Sequence, residues 1–153
     1  MKTVRDFEDI LSLFAEHEVR YLIVGGLAFI YHAKPRYTKD MDLWVDADPG
    51  NVVRVNRALA EFGSPELLDP DRPDEILQLG ADPNRIDLLR DVIDIDFARS
   101  WERRIRGRYG DAPANWIDLD SLIAIKSRID HPRHQEDVRV LRMVKALKGS
   151  AED

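Results

Sequence analysis

Cysteine is missing from the chain altogether, which excludes disulfide scaffolds and thiolate metal sites and agrees with a reducing compartment. Also missing is any apolar run near the roughly 18 to 20 residues that span a bilayer. The opening Met1-Lys2-Thr3-Val4-Arg5-Asp6 has no signal-peptide core. The expectation is a cytoplasmic protein with no membrane partner. An excess of cations is lacking too, since 23 Lys and Arg stand against 29 Asp and Glu for a net charge of −6. Nonspecific coating of long nucleic acid is therefore disfavoured, because that affinity comes from neutralising phosphates. The charge is uneven: residues 1–98 carry 11 cations and 20 anions, residues 99–153 carry 12 and 9. An acidic half beside a mildly basic one could hold cations and dock a polyanion; it is equally an ordinary uneven surface.

What is present fits one domain. A chain of 153 residues with 44% hydrophobic content can bury a real core, and the expected division is a single domain over 1–148 with a short tail, 149–153. The informative stretch runs from Tyr21 to Val45. It reads as an apolar strand (Tyr21 to Val24), a Gly25-Gly26 turn, a small helix (Leu27 to Ala33), a basic loop (Lys34 to Lys39) and a second strand opening with Asp40 and Asp42. Strand side chains alternate, so Asp40 and Asp42 share a face with Cα atoms about 6.6 Å apart, a spacing that a hard cation can bridge. Met41, Leu43 and Val45 face the other way, toward a core. Glycines at the turn let an anion approach the backbone, and the following helix offers it unpaired N–H groups. Phosphate on one side and metal on the other describe a nucleoside triphosphate site.

The pattern apolar-Gly-Gly, thirteen residues, Asp-apolar-Asp-apolar resembles the signature of the nucleotidyltransferase superfamily named for DNA polymerase beta. The likeness is closest to its small prokaryotic members, the minimal and AbiEii-like nucleotidyltransferases. The resemblance implies an α+β fold: a mixed β-sheet with helices packed on it and a helical C-terminus. It implies NMP transfer from an NTP to a hydroxyl, with Mg²⁺ or Mn²⁺ as cofactor. The acceptor would be RNA or tRNA, a partner protein or a small molecule, with a toxin–antitoxin or phage-defence role and a toxin or antitoxin partner or a homo-oligomer as possible settings. A non-catalytic antitoxin subunit of the same fold is the competing reading. Asp40 and Asp42 match the family's metal pair, and Ile86-Asp87-Leu88-Leu89 matches the strand bearing its third carboxylate. Asp94, in Asp94-Ile95-Asp96, is the rival. Asp87 is preferred because Asp96 is placed to cap a helix and the rival pair has no Gly-Gly turn upstream. Three converging carboxylates repel one another, a penalty that a divalent cation removes.

Arg36, Thr38 and Asp40 reproduce an Arg-x-Thr-x-Asp arrangement of related sequences. Arg36 or Lys39 would contact triphosphate oxygens and Thr38 would orient the first carboxylate; alternatively these cations offset the charge of a solvated loop. Lys126, in Asp120-Ser121-Leu122-Ile123-Ala124-Ile125-Lys126, and the pair Arg133 and Asp137 resemble the tail of AbiEii-like enzymes. Lys126 would reach triphosphate or serve a structural ion pair, and Arg133 could pair with Asp137 at i, i+4. Two departures leave the acceptor open: Gly26 stands where many members have Ser, and no separate helical domain follows.

Elsewhere, Thr3 to Glu18 reads as an opening helix capped by Thr3, with Phe7, Ile10, Leu11 and Phe14 on its packed face. Asp48 and Pro49 open a helix with Val52, Val55, Leu59 and Phe62 inside. An EF-hand from Asp40 is excluded, because its third ligand would be Trp44. Ile76 to Leu79 and Arg85 to Leu89 read as a hairpin. Phe97 to Arg108 holds five arginines with Trp101 and Ile105. It reads as a helix with the arginines on its wet face, or as a nucleic-acid grip. Trp116-Ile117 reads as a final short strand, and the last two helices are capped by Asp118 or Asp120 and begun near Arg133. On the last helix Val138, Leu141, Val144 and Leu147 form the packed face. His131 and His134 lack a ligand spacing and read as surface residues.

Overall fold

Four consecutive buried residues make β1 (Tyr21–Val24), and the remaining elements are laid around it. The computed structural model describes residues 3–81, 83–92 and 94–152. Ahead of β1, α1 (Arg5–Glu16) buries Phe7, Ile10, Leu11 and Phe14 at helical spacing. Val4, not Thr3, is its N-cap, and no side chain caps it; Asp6 and Glu8 in the first turn suit the helix dipole. After β1 come α2 (Gly25–His32), which starts on the glycine pair itself, and β2 (Met41–Val45). Then α3 (Pro49–Phe62) is capped as expected: Asp48 accepts from the N–H groups of Gly50 and Asn51, and Gly63 closes the helix at φ 92°.

The hairpin strands are β3 (Leu77–Leu79) and β4 (Ile86–Leu89). Next, α4 (Phe97–Glu102) is capped by Asp96 and stops early, and Ile105–Tyr109 forms the strand β5 where a continued helix was expected. Trp101 and Ile105 are four apart and fit a helical stripe, but Ile105, Gly107 and Tyr109 also alternate. Gly110 at φ 58° turns the chain into β6 (Ala112–Trp116), with Tyr109 opposite Ala112. Gly107 lies close against Trp116, where an added Cβ would come 3.3 Å from the indole. The final strand therefore begins four residues before the expected Trp116. The chain ends in α5 (Leu119–Ser127), capped by Asp118, and α6 (Pro132–Glu152). On α6, Val138 and Leu141 are buried as expected, while Leu147 is exposed.

The six strands of the described residues form one mixed sheet in the order β3-β4-β2-β1-β6-β5. β2 runs antiparallel to β1 and parallel to β4, and β6 is parallel to β1. Alternation divides the core. Ile23, Met41, Leu43, Val45, Ile86 and Leu88 pack with α1 and α3 on one face. Leu22, Val24 and Trp44 pack with Phe29 of α2, Leu122 of α5 and Leu141 of α6 on the other. The architecture is the mixed sheet with packed helices and helical C-terminus that the resemblance implied. Among the described residues no helix is long and apolar enough to cross a membrane.

Candidate active site

On β2 and β4 the register sets Asp42 beside Asp87, with Met41 beside Ile86 and Leu43 beside Leu88. Neighbouring strands lie about 4.8 Å apart, and residues in register project to the same face, so two carboxyl groups meet on the face that carries Trp44. Asp40 stands just before β2. Its Oδ2 accepts a hydrogen bond from Nη2 of Arg85 at 3.0 Å. The same guanidinium donates to Asp87 twice, from Nε to Oδ1 at 2.8 Å and from Nη2 to Oδ2 at 3.1 Å. Arg85 thus lies between the first and third acids. Asp42 is left to bear the crowding: burial, then the charges of Asp87 and Asp40 and a hydrogen bond shared with Asp87, push its carboxyl up to about 7 against the pull of Arg85.

The glycine pair is explained from inside the fold. Gly25 has φ 68°, and a Cβ there would lie 2.1 Å from Oδ2 of Asp42. At Gly26 a Cβ would lie 2.7 Å from Oγ1 of Thr38. Only glycine leaves room for Asp42 and for the loop at Thr38, whose hydroxyl donates to the Asp40 carbonyl at 3.5 Å. The N-terminus of α2, with no side-chain cap, brings unpaired N–H groups beside Asp42.

The basic residues divide. Lys39 is exposed and lines a cleft of about 930 Å³ with Thr38, Tyr37, Arg5, Tyr31 and Asn84. The carboxylates do not line this cleft; it borders them through Thr38, Lys39 and Asn84. Arg36 turns away from the acids: it donates to both oxygens of Asp137, at 2.7 and 3.0 Å, and its guanidinium sits 4.0 Å over the ring of Phe29. Lys126, almost fully buried, donates to the same acid at 3.0 Å. Burial alone would raise the Asp137 carboxyl, and the bonds from Arg36 and Lys126 bring it below its ordinary value; burial lowers the Lys126 ammonium. The expected i, i+4 pair is replaced by this cluster, and Arg133 is exposed. Asp94 lies outside the sheet, exposed and at φ 63°.

Two participants escaped the sequence reading. Arg85 was readable in principle, as Arg-x-Asp puts it on the same strand side as Asp87. The partnership of Asp137 with Arg36, 101 residues away, leaves no local trace. Among the described residues no three acidic, His or Cys side chains stand as a ready metal cage. The donor set nevertheless suits a hard cation: oxygen ligands only, one of them with its carboxyl raised to about 7 by burial and then by its acidic neighbours, and two already sharing a positive group.

Solved structures resemble the whole chain. The lincomycin-bound lincosamide antibiotic adenylyltransferase LnuA superposes at TM-score 0.56 and 17% identity, over 94% of this chain and 99% of that one. The antibiotic-resistance factor ANT(2'')-Ia superposes at 0.60 and 15%, over 96% and 89%. The Thermotoga maritima protein TM1012 gives 0.59 and 14%, over 97% and 92%. The chain has the nucleotidyltransferase fold. No family model and no curated protein sequence matches the chain.

Proposed function

We propose that the protein is a nucleotidyltransferase that moves NMP from an NTP to a hydroxyl group. The observation that carries this reading is Asp42 and Asp87 side by side on adjacent, in-register strands at the glycine start of α2, with Asp40 just before β2 joined to Asp87 through Arg85. Packing has no use for three acids there, and repulsion makes their closeness costly. Asp40, Asp42 and Asp87 would hold Mg²⁺ or Mn²⁺, which when bound supplies charge neutralisation and acidifies an attacking hydroxyl. Gly25 and Gly26 leave room for the Asp42 and Thr38 side chains against the start of α2, whose first N–H groups would favour phosphate oxygens. Attack on the α-phosphorus forms the new P–O bond and expels pyrophosphate, with the protein contributing position and charge.

The fold neighbours LnuA and ANT(2'')-Ia, the latter solved with adenylyl-2''-tobramycin, favour a small hydroxylated acceptor over RNA or a partner protein. A toxin–antitoxin setting would require one of those macromolecules. The test is transfer of label from α-labelled NTPs with Mg²⁺ to three pools: hydroxylated small molecules, total RNA and lysate protein. Wild type is expected to label the first, and Asp42→Asn to lose transfer while keeping its circular dichroism. Asp87→Asn should be equally inactive and Asp94→Asn active. Equal labelling by wild type and Asp42→Asn would remove the reading; labelling of no pool would favour a binding module.

A further inference from the structure

The guanidinium of Arg85 lies between Asp40 and Asp87 and joins them by hydrogen bonds. Its Nη2 lies 3.0 Å from Asp40 Oδ2 and 3.1 Å from Asp87 Oδ2, and its Nε fixes the other oxygen of Asp87. We propose that Arg85 is a built-in counter-cation, which holds the carboxylates of the nucleotidyltransferase site in place when no metal is bound and must swing out before a divalent ion can enter. The inference rests on the function proposed above.

Three considerations support it. Nη2 of Arg85 already bridges Asp40 Oδ2 and Asp87 Oδ2, so a divalent ion held by that same pair of oxygens would compete with it for the space between them. The arrangement also accounts for the lack of a ready cage among the described residues. Finally, Arg85 has somewhere to go, since its side chain is 28% exposed, and a triphosphate offers paired oxygens suited to the guanidinium fork. Arg85 would then serve two partners in turn: carboxylates in the empty site, phosphate oxygens in the loaded one. Removing it should have opposite effects on the two ligands.

The experiment measures Mn²⁺ binding without nucleotide, from the loss of the free Mn²⁺ paramagnetic resonance signal. It compares wild type, Arg85→Gln and Arg85→Lys. The expected result is about tenfold tighter Mn²⁺ binding by Arg85→Gln, a smaller gain for Arg85→Lys, and weaker ATP binding by Arg85→Gln at saturating Mn²⁺. If Arg85 merely scaffolds Asp87, Arg85→Gln will bind Mn²⁺ equally or more weakly. That overturns the inference and leaves the nucleotidyltransferase reading intact, provided wild type binds Mn²⁺ and transfers label. Absence of Mn²⁺ binding by every protein, with or without ATP, overturns both. Because Arg85→Gln could unfold, the wild-type protein is also titrated with Mg²⁺ while the ¹⁵N-resolved Nε–H resonance of Arg85 is followed. A shift or loss of that resonance is expected, and an unmoved one at saturation overturns the inference.

Discussion

Asp42 is an acid held where its charged form is disfavoured, and the sign of the consequence is definite. Its folded-state value of about 7 lies above the ordinary 3.8, so the folded protein binds this proton more tightly than the unfolded chain. The associated stability is fully present below about pH 4 and is lost as pH rises through about 7, with a total on the order of 4 kcal/mol. In metal-free buffer the melting temperature of wild type is expected to fall from pH 5 to pH 8 relative to Asp42→Asn, whose profile should be flatter. Parallel profiles would show that the carboxyl is not under this strain. Gly25 tests the same atom from the other side. Gly25→Ala places a methyl 2.1 Å from Oδ2 of Asp42 on a backbone at φ 68°. It should cost about 1–3 kcal/mol of stability and abolish transfer even where the protein stays folded. Denaturant melts and the labelling assay check both.

At the scale of elements, the sequence was readable where a local pattern and a distant partner agree. The Asp-x-Asp strand, the glycine pair, the Asp48-Pro49 helix start and the Ile86–Leu89 strand all carry their signal within a few residues. They appear within a residue or two of where it puts them. The segment after Glu102 was not readable, because its apolar spacing fits helix and strand alike and only pairing with β6 decides. Charge partners were opaque for a related reason: Arg36 and Lys126 are set by a helix that returns from the far end of the chain. Their shared acid makes a ranked prediction. Asp137→Ala leaves Lys126 buried without its partner and frees the loop before Asp40, and should cost about 3–5 kcal/mol. Lys126→Met leaves Arg36 still paired and should cost less. If Lys126 instead serves triphosphate, Lys126→Met will raise the KM for NTP with little loss of stability. Denaturant midpoints and NTP titrations of the two variants separate these outcomes.

For the whole molecule, what matters is where in the sheet the acids sit. β4 and β2 are the second and third strands of six, so Asp42 and Asp87 are part of its interior and not of a fraying edge. Repulsion between them, and its relief, should therefore register in global unfolding. A ligand that binds only the folded state at one hundred times its Kd stabilises by about 2.7 kcal/mol. For a chain of this size each kcal/mol moves the melting temperature by about 2–4 °C. Mg²⁺ and a non-hydrolysable NTP together are thus expected to raise the wild-type midpoint by about 5–10 °C at pH 8. The gain should be smaller at pH 5, where Asp42 holds its proton and competes with the ion. Asp42→Asn should lose most of the gain at both pH values. A gain that is the same at pH 5 and pH 8, or undiminished in Asp42→Asn, would mean that nucleotide and metal bind elsewhere on the fold. The 930 Å³ cleft beside Thr38 and Lys39 would then be the first place to look, with Lys39→Glu as the variant to melt.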